Sequence, residues 1–128
     1  MKRLFFVWLL IAPALFIETA VADESTSKRP LIPTIEQDFV KSINQFSKDQ
    51  IIAQFGEPAK ADDVKLKGSG KVVASIWLYH FINTATDGSY YETTELDFID
   101  DKVVMVAFLK NDGSEGPETG QQYEIPFK

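Results

Sequence analysis

Between residues 71 and 109 the chain passes through three segments, KVVASIWLYHFI (71–82), YYETTELDFI (90–99) and KVVMVAFL (102–109), dominated by β-branched and aromatic residues. None contains glycine or proline, so each reads as a strand. Asp100-Asp101 separates the second from the third by two residues, the length of a tight antiparallel hairpin, and residues 83–89, with Asp87-Gly88, link the first pair. Strands joined in this way form an antiparallel meander.

A sheet of this kind needs an apolar cover, and the preceding residues supply one. Ile35, Phe39 and Ile43 recur every four residues, one stripe of an amphipathic helix, and Thr34 with Gln37 has the spacing of a capping box. Ser47 and Gln50 repeat that spacing ahead of a second helix at about residues 48–55, within the stretch QIIAQFGEPAK. Two helical turns are marginal on their own, so Ile51, Ile52 and Phe55 must pack against the sheet. Gly56 suits a left-handed stop, and Pro58 cannot continue the helix. The expected fold class is α+β: two short N-terminal helices packed on one face of a three-stranded antiparallel meander over residues 34–110. In the remainder, residues 111–128, an acidic loop (NDGSEGPETG, 111–120) leads to a short fourth edge strand at residues 123–127.

The N-terminal residues read differently. Lys2 and Arg3 precede an apolar run to Ile17, then Ala20-Val21-Ala22 and the acidic Asp23-Glu24, the order of a secretory signal peptide. The run is short for a permanent anchor, which needs roughly 20 apolar residues. The expectation is cleavage after Ala22, with residues 23–33 (DESTSKRPLIP) as a linker and no stable membrane anchor after processing. Loss of Lys2, Arg3 and Glu18 from 13 basic and 19 acidic side chains leaves a net charge of about −7, which repels nucleic acid and anionic lipid. There is no cysteine, hence neither a disulfide framework nor a thiol nucleophile. A periplasmic or secreted location is expected.

Strand register decides which residues are free to bind. Counting outward from Ile99 opposite Lys102 places Phe98 opposite Val103, Leu96 opposite Met105 and Thr94 opposite Ala107, an apolar face for the helices. The other face then carries Glu95, Asp97, Val104 and Phe108 and, if Phe81 meets Tyr91, also Trp77, Tyr79, Phe81 and Tyr91. These eight residues form the expected protein-binding site, with Ile76, Leu78 and His80 turned toward the helices. The residues 123–127, or a second copy of the chain in a homodimer, are the competing cover for that face. A register different by one residue would exchange the two faces.

Two helices, the second ended by Gly-x-Pro, then a strand carrying WLYHF and a hairpin ELDFIDDKVVMVAF with an acidic tip resemble the SmpA/OmlA (BamE-like) domain family over about residues 34–109. That family is related in fold to β-lactamase inhibitory protein. The resemblance implies a small non-enzymatic periplasmic module that binds protein, often in envelope biogenesis. Members that act as assembly factors are lipoproteins, whereas this chain has no cysteine to acylate, so a soluble relative is expected.

Catalytic chemistry has little support in the sequence. His80 is the only histidine and lacks a Ser/His/Asp constellation, and no His/Cys cluster has zinc-ligand spacing. Glu95 and Asp97 share a strand face as a glycosidase pair would, but equally as solvated acids or contacts for a basic partner. KGSGKVV departs from a phosphate loop at Lys65 and Val72, and Asp112, Glu115 and Glu118 lack calcium-loop spacing. No catalytic residue, metal or cofactor is expected. The functional expectation is a soluble protein-binding module acting through the sheet face, the alternative being an enzyme inhibitor or immunity protein whose acidic loop meets a basic target.

Overall fold

The computed structural model describes residues 31–126. The expected leader, residues 1–22, and the linker as far as residue 30 lie outside the described residues. The elements run α1 (Glu36–Ser42), a 3-10 turn (Ile43–Gln45), α2 (Lys48–Phe55), β1 (Lys60–Lys65), β2 (Val72–His80), β3 (Thr93–Ile99), β4 (Lys102–Leu109), a second 3-10 turn (Pro117–Thr119) and β5 (Gln121–Glu124). All strands are antiparallel to their neighbours in the order β1-β2-β3-β4-β5. The class is α+β, with five strands rather than three.

The additional N-terminal strand is β1, KADDVK, whose six residues are all exposed. It has no apolar alternation, so pairing with the free edge of β2 rather than burial holds it in place. The C-terminal edge strand begins at Gln121, two residues earlier than expected, and pairs with β4.

The helix boundaries follow local chemistry closely at α2 and less so at α1. At α2 the Gln50 amide donates to Ser47 Oγ (3.3 Å) and the Ser47 amide to Gln50 Oε1 (2.9 Å), the anticipated capping box. Asp101, in the β3–β4 turn, accepts from the Lys48 amide at 3.0 Å and sets a carboxylate at the same helix start. Gly56 ends α2 at φ 86°, a conformation that penalises any Cβ, and its carbonyl accepts from the Tyr79 hydroxyl (2.8 Å). α1 has no side-chain cap. The Thr34 carbonyl instead accepts from the Thr84 amide and the Asn83 carboxamide, drawing the chain alongside the β2–β3 connection. Ile32 is buried and exchanges two hydrogen bonds with the Gln54 side chain, so the domain takes in residues assigned above to the linker.

Helices and sheet meet in an aromatic core. Phe39 of α1 lies edge-on to Phe108 (6.0 Å), Phe55 of α2 packs on Tyr79 (6.0 Å), and Trp77 sits 4.7 Å from Phe98. Leu96, Val103, Val106, Ile43 and Ile51 complete it. A buried carboxylate, Glu36, accepts from the hydroxyls of Tyr91 (2.6 Å) and Tyr123, and this contact fastens β5 to α1.

Two local irregularities set the register. In β4 an extra residue, Val104, bulges against the Asp97–Phe98 step, so Leu96 faces Val106 and Thr94 faces Phe108. At the other hairpin Phe81 takes a left-handed backbone (φ 55°) and donates its amide to Glu92, which pairs His80 with Thr93 and Trp77 with Leu96. Each displaces the symmetric register by one residue, and a displacement of one turns side chains to the other face. Trp77, Tyr79 and Phe108 therefore point into the core beneath the helices, and Ile76, Leu78 and His80 point away from them. The bulge is what allows Val103, Val106 and Phe108 all to face the helices.

Candidate functional site on the uncovered sheet face

The eight anticipated binding residues do not share a surface. Trp77, Tyr79, Tyr91 and Phe108 are buried in the core, Val104 is half-buried at the bulge, and Phe81 is exposed at the end of β2. Glu95 and Asp97 lie on the side away from the helices, as the count placed them.

On that side, cross-strand pairing lines up three rows. The middle row is Asp62, Ile76, Asp97, Met105 and Glu124, one residue from each strand and alternately acidic and apolar. Beside it run Val64, Ala74, Ile99 and Lys102, and on the other flank Lys60, Leu78, Glu95, Ala107 and Gln122. Val64, Ile76 and Ile99 remain 55, 40 and 44% exposed, high for aliphatic side chains on a folded sheet. Sequence reasoning missed them because they alternate with larger aromatics. The signal was the acid–apolar alternation of β3, which gives the uncovered face once the bulge is placed.

Residues 111–120 lie over one end of this face. Thr93 Oγ1 donates to the Asn111 carbonyl (2.7 Å), and the Asn111 carboxamide donates to Thr119 Oγ1 (2.9 Å), closing the base of the loop. Gly113, at φ 93°, passes so close that a Cβ there would stand 3.1 Å from Leu78 Cδ1 and 3.3 Å from Thr93 Cγ2. The loop thus covers Leu78 and Thr93 and leaves the middle row open along its side.

Where loop and face meet, Glu95 is only 5% exposed. Burial, followed by its hydrogen bond and charge interaction with Asp97 and by the charge of Glu118, pushes its carboxyl up to about 8. Asp97 Oδ1 is buried and has no hydrogen-bond partner. A folded chain that holds this proton up to about pH 8, against 4.5 for an ordinary glutamate, is stabilised by it below pH 4.5. That contribution is lost as the pH rises through 8. Thermal melts are accordingly expected to fall by on the order of 5 °C between pH 5 and pH 9. Glu95→Gln should flatten this fall; an unchanged profile in the variant would remove Glu95 as its origin.

Other polar clusters are structural. Lys48 Nζ donates to Ser75 Oγ (2.9 Å), which donates to Asp63 Oδ1 (2.8 Å), and the ammonium stands 5.6 and 5.1 Å from the Trp77 and Phe98 rings. A Ser–Lys pairing invites a nucleophile reading, but Ser75 is buried and inaccessible to substrate. His80 Nδ1 lies 3.0 Å from Thr93 Oγ1 and 3.3 Å from the Glu92 carbonyl, partners that orient the ring against the strand. Among the described residues no group of three His, Cys, Asp or Glu is arranged to hold a metal ion, and no helix is long and apolar enough to cross a membrane.

Comparison with protein-family models, with curated proteins and with solved structures gives no match to the chain.

Proposed function

We propose that the chain is an exported, soluble protein-binding module, periplasmic or secreted, that takes its partner on the sheet face turned away from the helices. The observation that carries this reading is the exposure of Val64, Ile76 and Ile99 among Asp62, Asp97 and Glu124 on a face the helices leave uncovered. Contiguous apolar surface rimmed by polar residues marks interaction sites. Helix, helix and antiparallel meander in that order support kinship with the SmpA/OmlA-like modules, and hence binding rather than catalysis and a role in the cell envelope. The buried position of Trp77 moves the proposed contact to Ile76 and its neighbours.

The test is capture from an envelope extract using the tagged protein and its Ile76→Asp and Ile99→Asp variants. Both substituted side chains are already partly in water, so the fold should survive. Capture of a partner by the parent is expected to drop at least tenfold in each variant, the loss of about 1.4 kcal/mol or more of binding free energy. Equal capture by all three proteins would exclude this face.

A further inference from the structure

Resting on that reading, we infer that the partner presents a cationic amphipathic helix, laid across the strands along the row Asp62, Ile76, Asp97, Met105 and Glu124. Neighbouring strands are about 4.8 Å apart, so the three acids, on alternate strands, recur about every 9.6 Å with an apolar residue midway. In an α-helix, residues seven apart rise about 10.5 Å and residues three apart about 4.5 Å. A helix with lysine or arginine every seventh position and an apolar residue three further on therefore meets each acid with a cation and each apolar side chain with another. An extended segment does not fit, since its same-side residues recur at about 6.8 Å.

Charge favours the same partner. The acids of the middle row, Asp62, Asp97 and Glu124, outnumber the two basic side chains of the three rows, Lys60, which lies 3.9 Å from Asp62, and Lys102, whose ammonium is drawn to the Asn44 carbonyl. The loop adds Glu118 beside Glu95. Asp97 stands at the centre of the row, and its carboxylate, with Oδ1 lacking a hydrogen-bond donor, gains from a cation held over it. Sheet twist of about 20–25° per strand turns Asp62 and Glu124 aside. Ile76, Asp97 and Met105 become the contact's centre and the two outer acids its rim.

The probe is a synthetic peptide of about 21 residues with lysine every seventh position and leucine three residues after each, on an otherwise alanine and glutamine background, against a permuted peptide of the same composition. Calorimetric titration of the purified protein should show the patterned peptide binding at least tenfold more tightly than the permuted one. Asp97→Asn and Ile76→Asn should each weaken the patterned peptide at least tenfold, with near-ultraviolet circular dichroism reporting an intact fold. Equal binding of the two peptides would reduce the contact to net charge and overturn the inference. That comparison uses the unaltered protein and does not depend on the variants folding. Binding that ignores both substitutions would overturn the placement. If neither peptide binds while envelope capture still depends on Ile76, the helical partner is wrong and the protein-binding face stands.

Discussion

Trp77→Ala is expected to destabilise the fold by about 3–5 kcal/mol, the usual cost of emptying a buried tryptophan site. Trp77 is 7% exposed, with its ring 4.7 Å from Phe98, 6.3 Å from Tyr79 and beneath the Lys48 ammonium. Its removal leaves a void bounded by rigid rings and the α2 start, which has little freedom to collapse because Ser47, Gln50 and Asp101 fix its first turn. At about 4–8 °C per kcal/mol for a domain of this size, the melting temperature should drop by roughly 15 °C or more. Phe81→Ala is the control. Phe81 is 60% exposed, and its truncation should shift stability by no more than about 0.5 kcal/mol. Similar melting temperatures for the two variants would contradict the register that buries one aromatic and exposes the other.

The second large effect is expected at Glu36→Ala. This substitution strands the Tyr91 and Tyr123 hydroxyls, both of which donate to the carboxylate. A buried hydroxyl without a partner costs about 1–3 kcal/mol, and the half-buried Tyr123 hydroxyl sits at the low end of that range, so the pair should lose about 2–4 kcal/mol in all. Each tyrosine also packs on Phe108, at 5.1 and 5.8 Å, which holds it in place after its acceptor is gone. Tyr123→Phe should cost less, because it removes the donor together with its need for an acceptor. A double-mutant cycle between Glu36 and Tyr123, followed by chemical denaturation, measures the coupling. Hydrogen exchange should show faster exchange of the β5 amides in Glu36→Ala than in the parent. A coupling near zero would demote the contact to incidental proximity.

The residues themselves announced much of this architecture. Ser47 with Gln50 announced the capping box ahead of QIIAQFGEPAK, and the stretch itself a stop at Gly56 and a need for a sheet to lie on; the structure has the box, ends the helix at Gly56 with a positive φ though extended ψ, and lays it on Tyr79. Asp100-Asp101 was readable as a two-residue turn because nothing else fits between two β-rich runs, and Ile99 does pair with Lys102. The site was less legible for a geometric reason. Its residues depend on the parity of two hairpins, and parity is changed by a bulge at Val104 and a left-handed Phe81, neither of which a propensity pattern marks. Glu95 and Asp97 kept their expected side because β3 itself is unbulged, while Trp77, Tyr79 and Phe108 on its neighbours changed sides. β1 was invisible because KADDVK has no period-two hydrophobicity, its strand character being borrowed from β2.

The contact among Glu36, Tyr91 and Tyr123 also bears on when the domain closes. Residue 36 leaves the ribosome well before residue 123, and until the later tyrosine arrives the carboxylate has no complete set of donors and β4 has no outer neighbour. Burial of α1 before that point would leave the carboxylate with Tyr91 as its one tyrosine donor. Closure of the contact therefore joins the start of the domain to a residue 87 positions further along the chain.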